Sequence, residues 1–278
     1  MNIKAFENKV KETIEDYNLL NKRDKVMVAC SGGKDSTTVL YLLKKFGYNV
    51  EALHINLLMG DWSKQNLCNL EKFCKQLNVK LNVFSVRNEL GRSMCYIKSA
   101  VKSKAKLQNC SICGILRRWL INRLARKLKA DKLATGHNLD DAAQTILMNY
   151  FKGNVFIGLK EGPKVGIIRD EKFVQRIKPL YFCLEKEVER YSKTSNFPVL
   201  YERCPCVFDA YRHKIRKELD RLEVNEPNIK INIVNSFFRI LPILRKNKID
   251  HDLKYCKNCG EPSRNEICKA CSIMKLVA

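Results

Sequence analysis

Four groups of residues have types and spacings that can do chemistry. Ser31-Gly32-Gly33-Lys34-Asp35-Ser36 lies between a short apolar run, Lys25 to Cys30, and a segment of helical period from Thr37 to Phe46 that stops at Gly47. A strand that runs into glycines and then a helix gathers backbone N–H groups and the positive end of the helix dipole at one point, which suits a phosphate. The Walker A spacing G-x-x-x-x-G-K-[ST] is not matched. A tight turn would account for the glycines alone, but not for the whole hexapeptide between strand and helix.

Thr135-Gly136-His137-Asn138-Leu139-Asp140-Asp141 follows a second apolar run, Lys132 to Thr135. It reads as a polar turn that caps the next helix, with Asp140 or Asp141 as first-turn carboxylates favoured by the dipole. Cys110-Ser-Ile-Cys113 can share one metal or cluster, provided that further ligands come from elsewhere, and Cys204 and Cys206 stand in Glu202-Arg-Cys-Pro-Cys206. The pair alone is equally a redox dithiol or two small buried apolar residues, although Arg117 and Arg118 favour thiolates. The tail, Cys256-x-x-Cys259-x8-Cys268-x-x-Cys271, has the spacing of a tetrahedral four-cysteine zinc site, structural because four thiolates leave no open position.

The elements that must position these groups alternate. Apolar runs at Lys25 to Cys30, Val50 to Leu58, Lys80 to Val86, Lys132 to Thr135 and Val174 to Leu180 read as strands. Helical segments separate them, Ser63 to Leu77 and Ile115 to Ala130 among them. That order predicts a parallel sheet covered by helices on both faces, an α/β fold. The first helix carries Phe6, Val10, Ile14 and Tyr17 as one apolar stripe; Leu116, Leu120, Leu124 and Leu128 form another. Gly153 to Asp170 reads as a long loop, and Glu185 to Lys193 and Tyr211 to Leu222 as helices. The predicted organisation is an N-terminal helix over 1–24, the chemical domain over 25–222, a helical linker over 223–255 and a zinc ribbon over 256–278.

The chain has 278 residues, 52 Lys+Arg against 29 Asp+Glu, and a formal net charge of +23. Such an excess points to a polyanionic partner rather than to neutral metabolites alone. Its basic residues are dense on two helices, at Arg117, Arg118, Arg123, Arg126 and Lys127 and at Arg212, Lys214, Arg216 and Lys217, where acidic partners are absent or scarce. Both helices are expected to contact phosphates. No apolar run reaches the roughly 18 residues of a membrane span, and no signal-peptide pattern opens the chain, so no membrane partner and a cytoplasmic location are expected. Cys30, Cys68, Cys74, Cys95 and Cys183 lack partner spacing and read as buried apolar residues; His54 and His251 read as ordinary.

The glycine loop and the Gly136-His-Asn segment resemble those of the PP-loop ATPases, adenine nucleotide alpha hydrolase-like proteins. With Cys110, Cys113 and a late Cys204 in that order, the chain is similar to the tRNA 2-thiolation branch over nearly its whole length. The resemblance implies ATP and Mg²⁺ as cofactors, with Ser31, Gly32, Gly33, Lys34, Asp35, Ser36, His54, Gly136 and Asp140 binding the nucleotide. It also implies a [4Fe-4S] cluster on Cys110, Cys113 and Cys204 with one iron open, and a C-terminal Zn²⁺ ribbon. Lys34, Asp35, Arg117 and Asp140 carry the implied catalysis, in which the uracil C2 oxygen is adenylated and sulfur then displaces AMP. tRNA, sulfide or a ubiquitin-like sulfur carrier, and a second copy of the chain are the implied partners. Cys-Pro-Cys followed by Asp209-Ala-Tyr-Arg212 is closer to the wobble-uridine branch. Members commonly carry a second ribbon ahead of the first helix, and this sequence has no cysteine before Cys30. Two other readings stay open, a persulfide-based thiolase without a cluster and a non-catalytic zinc-ribbon RNA-binding protein.

Overall fold

The computed structural model describes residues 2–105, 107–165, 170–202, 204–205, 211–246 and 253–277. Cys206, Asp209, Ala210 and His251 lie outside them. Helix α1 (Ile3–Asp16) precedes β1 (Lys25–Ala29), α2 (Lys34–Lys45), β2 (Asn49–Asn56), α3 (Gly60–Gln76) and β3 (Leu81–Ser85). Then come α4 (Val86–Leu90), α5 (Met94–Lys104), α6 (Asn109–Lys127), β4 (Lys132–Ala134), α7 (Leu139–Phe151), α8 (Val155–Gly158), β5 (Lys164–Val165) and β6 (Gln175–Ile177). The chain continues through α9 (Glu185–Thr194), α10 (Tyr211–Asn225), α11 (Ile229–Lys246), β7 (Lys254–Tyr255), β8 (Pro262–Ser263) and α12 (Lys269–Lys275).

The sheet order is β3-β2-β1-β4-β6-β5, parallel except for the edge strand β5. From β1 the chain winds outward to β2 and β3, then returns to lay β4 on the other side of β1. The crevice between the C-terminal ends of β1 and β4 is therefore the topological switch point at which ligands bind in open α/β sheets. All five apolar runs became strands of this sheet, near-continuous in apolar character because both faces are covered. The stretch read as a long loop between Gly153 and Asp170 instead contains α8 and β5.

Two apolar clusters sandwich the sheet. On one face α1, α2 and α9 pack through Val10, Leu40, Leu43 and Tyr191, with Phe6 stacked on Tyr191 at 4.7 Å between ring centres. On the other, Ile112, Leu116, Leu120 and Leu124 of α6 join Met27, Leu53 and Leu133 of the strands. Cys256, Cys268, Ala270 and Ile273 belong to that same cluster, so the C-terminal ribbon is packed onto α6. A third cluster joins α7 to α10 and α11. Cys30, Cys74 and Cys183 are buried as expected, whereas Cys68 and Cys95 are exposed. Tyr17 is the cap of α1 and lies half-exposed against Phe182 rather than in the core.

Several of the cations expected to contact phosphates on the two basic helices have carboxylate partners. On α6, Arg126 Nη1 donates to Glu261 Oε2 of the ribbon at 3.2 Å, and Arg123 lies 3.9 Å from the same carboxylate. On α10, Arg216 pairs with Glu185 at 2.6 Å and Arg212 lies 3.7 Å from Asp141. Acidic partners thus exist, supplied by segments distant in sequence, and of these basic residues Arg118, Lys127, Lys214 and Lys217 are exposed with no ion pair among the described residues.

Candidate active site

Strand β1 delivers the glycine loop to the start of α2. Gly32 has φ +85, and a Cβ there would lie 2.8 Å from Asn66 Oδ1, so both conformation and space require glycine. Gly33 is the N-cap of α2, and no side chain caps it. The first-turn amides of α2 therefore point toward a ligand rather than into a capping side chain. Ser36 ties the loop together, its Oγ accepting from the Ser31 N–H at 3.2 Å and donating to Gly33 O at 3.1 Å.

The turn after β4 touches this loop. A Cβ on Gly136 would sit 2.7 Å from the Asp35 carbonyl carbon and the Ser36 nitrogen, so this position also requires glycine. Asn138 then caps α7 in a reciprocal box: Asp141 N–H donates to Asn138 Oδ1 at 3.1 Å, and Asn138 N–H donates to Asp141 Oδ2 at 3.3 Å. The Asn138 side-chain N–H₂ reaches across to Asp35 Oδ1 at 3.0 Å. Burial raises the pKa of Asp35 against the pull of Lys34, and the charge of Asp141 raises it further. Burial likewise raises the pKa of Asp141, opposed first by Arg212.

Ser31, Asp35, Ser36, Gly136 and Asp141 line a cleft of about 330 Å³ together with Arg117 and Arg118 of α6 and Arg176 of β6. A smaller recess of about 50 Å³ opens beside it, bounded by Leu53, His54, Trp62 and Asn66 and sharing Ser31 and Arg117 with the cleft. The indole N–H of Trp62 is buried with no hydrogen-bond partner among the described residues. His54 Nδ1 is 2.9 Å from Cys30 O, and burial holds its pKa below the usual imidazole range. A neutral His54 thus donates to that carbonyl and fixes the strand end. Arg118 has its pKa lowered by burial and then by the charges of Arg176, Arg117 and Arg212. Such mutual repulsion around one cleft is relieved by an anion.

Two sequence candidates point elsewhere. Asp140 does not line the cleft: its carboxylate accepts from Lys230 Nζ at 2.7 Å and from the Glu185 N–H at 2.7 Å. Lys34 Nζ donates to Glu185 Oε1 at 2.9 Å and to Asp35 Oδ2 at 3.1 Å. Asp141, Arg176, Trp62 and Asn66 were not expected around the cleft and its recess, and Arg118 was expected only beside the cysteine thiolates and against phosphates. Asp141 was visible as a first-turn carboxylate, but nothing in the sequence distinguished it from its neighbour.

Cys110 lies in the first turn of α6 and Cys113 opens the second, within the helix rather than ahead of it, and Arg117 and Arg118 follow one turn after Cys113. A helix N-terminus favours thiolates. Cys113 and Cys204 pack against the same apolar cluster, which brings the distant Cys204 to this face of the sheet. The four cysteine sulfurs of the tail all lie within 4.8 Å of one another. Cys259 Sγ and Cys268 Sγ are 3.7 Å apart, close to the roughly 3.8 Å edge of a tetrahedron with Zn–S bonds of about 2.3 Å. Backbone N–H groups of Cys268 and Cys271 donate to Cys256 Sγ (3.2 Å) and Cys268 Sγ (3.4 Å), as in thiolate metal sites. No helix among the described residues is long and apolar enough to cross a membrane.

Comparison with known proteins gives consistent results. A family described as a PP-loop domain matches residues 2–221. The tRNA-5-methyluridine(54) 2-sulfurtransferase of Pyrococcus horikoshii is 35% identical over 98% of this chain and 85% of its own. Cytoplasmic tRNA 2-thiolation protein 1 of Caenorhabditis elegans is 30% identical over 97% of this chain and 72% of its own. Among solved structures, the U34-tRNA thiolase NcsA from Methanococcus maripaludis, with its [4Fe-4S] cluster, superposes with a TM-score of 0.80 at 30% identity, covering 98% of this chain and 87% of that one.

Proposed function

As a member of the PP-loop domain family, and within it of the tRNA 2-thiolation sulfurtransferases, the chain is an ATP-dependent tRNA uridine thiolase, and we propose that the cleft between β1 and β4 is where it adenylates and thiolates the base. The observation that carries the proposal is helix α6. Its first turn bears Cys110, its second opens on Cys113, and its third bears Arg117 and Arg118, which line the cleft of the glycine loop.

In this reading adenine enters the small recess, where the buried Trp62 N–H finds an acceptor and neutral His54 holds the wall. The amides of Gly32 and Ser36 take the phosphates, with the Ser31 hydroxyl and Gly33 shaping the loop around them. Asp35 and Asp141, two carboxylates on one cleft, would hold Mg²⁺; Asp141 takes the role that sequence reading gave to Asp140, which instead anchors α7 to α9 and α11. Lys34 meets the departing pyrophosphate by exchanging its partner Glu185. The uracil O2 attacks the α-phosphorus and pyrophosphate leaves. Sulfur then attacks C2, and AMP departs carrying the former O2. Arg117, at the junction of recess and cleft, contacts the activated base and stabilises the developing negative charge.

Three thiolates at Cys110, Cys113 and Cys204 fit a [4Fe-4S] cluster, which would supply an open iron that activates hydrosulfide with no net redox change. The sulfur tetrahedron of Cys256, Cys259, Cys268 and Cys271 fits a structural Zn²⁺. Sulfide or a ubiquitin-like carrier would supply the sulfur, and a homodimer completes the reading. The wobble uridine is the favoured target on the Cys204-Pro-Cys segment; two of the similar proteins, named for positions 54 and 34, do not separate the choices.

The test is nucleoside mass spectrometry of unmodified tRNA incubated anaerobically with reconstituted protein, ATP and sulfide. Wobble 2-thiouridine is expected, with loss of product in each serine variant of Cys110, Cys113 and Cys204. Thiolation by iron-free protein would replace the cluster with a persulfide route, and thiolation only in the T-loop would relocate the target. Absence of thiolation in any tRNA would overturn the function.

A further inference from the structure

A second cavity, of about 370 Å³, lies between α6, the start of β6 and the ribbon. It falls within the ~300–1,000 Å³ range of small-ligand sites. Arg118 and Arg176 line both this cavity and the catalytic cleft, so the two adjoin across a shared wall of cations. Burial lowers the pKa of each guanidinium, and the charge of Arg176 lowers Arg118 further. The carboxylate among its described lining, Glu261, is already engaged by Arg126 and Arg123. The ribbon adds two exposed cations, Arg264 and Lys269.

The apolar part of the lining is aromatic. Phe173 is 43% exposed at the rim. Trp119 lines the cavity with its indole N–H buried and without a hydrogen-bond partner among the described residues. Arg123 lies 4.4 Å over the centre of the Trp119 ring, holding its orientation. A buried donor without an acceptor costs about 1–3 kcal/mol, so a ligand that brings an acceptor is favoured there. Aromatic rings beside paired guanidinium groups form the pattern that receives an unstacked nucleotide, base on ring and phosphate on cation.

We propose that the cavity between α6 and the ribbon binds the nucleotide adjacent to the target uridine, with its phosphate on Arg118 and Arg176 and its base against Trp119 and Phe173. Arg264 and Lys269 then meet the next phosphate along the strand. The proposal rests on the reading of this chain as a tRNA thiolase and extends it: the ribbon is half of the RNA site, and the target uridine is presented in a splayed single strand.

The test uses full-length reconstituted protein and tRNA carrying one 4-thiouridine beside the target. Ultraviolet cross-linking followed by peptide mass spectrometry is expected to place the adduct on the peptides containing Trp119 or Phe173. Trp119→Phe, which keeps the ring and removes the N–H, is expected to raise the KM for tRNA roughly two- to tenfold while the KM for ATP is unchanged. Arg264→Gln with Lys269→Gln, both on the surface, is expected to flatten the log–log salt dependence of tRNA binding by about 0.7–0.9 per residue. If the wild type thiolates tRNA while cross-links fall elsewhere and neither variant shifts KM or slope, the cavity assignment alone is overturned. If the wild type neither binds nor thiolates tRNA, the function reading falls with it. A defect seen only with sulfur supplied by a ubiquitin-like carrier, and not with free sulfide, would assign the cavity to the carrier's tail and overturn the RNA proposal.

Discussion

Helices α6 and α10 read alike in sequence, two amphipathic and strongly basic segments, yet the fold uses them differently. On α6 the cations divide by position: Arg117 and Arg118 face the cleft, while Arg123 and Arg126 hold the ribbon through Glu261. On α10, Arg212 and Arg216 turn inward. Arg212 Nη2 donates to Thr145 Oγ1 at 2.9 Å, and Arg216 pairs with Glu185 on α9. A basic residue is thus free for RNA only if no carboxylate elsewhere in the fold faces it, and a count along the sequence cannot see that. The same lesson applies to Asp140 and Asp141, one locked to Lys230 and the other in the cleft.

The largest expected effect on stability comes from breaking the buried network behind α7. Lys230, with 5% of its side chain exposed, pairs with Asp140, Asp220 and Glu223 at 2.7, 2.6 and 3.0 Å. Lys230→Met should cost about 3–5 kcal/mol in denaturant unfolding, because it leaves the Asp140 charge buried and unpaired. Adding Asp140→Asn should recover part of the loss. An additive double variant would show that the two groups are not coupled.

Next in size is the ribbon latch on α6. Arg126→Ala leaves Glu261, 6% exposed, without its main partner. Because Arg126 is itself a third exposed, the expected cost is nearer 2 kcal/mol, roughly half that of a fully buried pair. It should appear as faster chelator-driven metal loss from the ribbon. Unchanged metal loss would return Arg126 to the RNA surface that sequence reading assigned it.

A smaller effect is expected in acid at the inward-facing end of α10. Burial pushes the Glu185 carboxyl up, but Lys34 and Arg216 outweigh it and hold the pKa below the usual glutamate value. As pH falls the unfolded chain therefore takes up this proton first. Glu185 stabilises the fold fully above the ordinary value of about 4.3, and that stabilisation is lost as pH drops through the lowered folded value. Glu185→Gln should make the acid limb of the stability profile shallower. An unaltered limb would mean that Glu185 is not held by those cations.

Smallest in stability is the exposed pair on α10. Lys214→Gln with Lys217→Gln should leave unfolding within about 0.5 kcal/mol of wild type. It should nevertheless reduce the salt slope of tRNA binding by about 0.7–0.9 per residue. An unchanged slope would remove α10 from the RNA surface altogether.

Much of the fold was legible because buried parallel strands declare themselves as short apolar runs. The two-residue β5 in a glycine-rich stretch carries no such signal, and α5 breaks its own apolar stripe by burying Lys98. The site was legible where backbone geometry restricts residue type, at Gly32 and Gly136. It was not legible where rotation decides. Adjacent residues on a helix point about 100° apart, so the choice between Asp140 and Asp141 depends on how the Asn138 cap sets α7 against β4. Nor does sequence reveal partners supplied from afar, such as Glu261, 135 residues beyond Arg126.

The central claim is that the cleft between β1 and β4 adenylates the uracil oxygen. It is tested most directly by single-turnover thiolation of tRNA whose target uridine carries ¹⁸O at O2, with mass analysis of every phosphate product. One ¹⁸O is expected in AMP, with unlabelled pyrophosphate, and both products are expected to be lost in Asp141→Asn. Label in inorganic phosphate alongside ADP, or label released to water with AMP unlabelled, would contradict it.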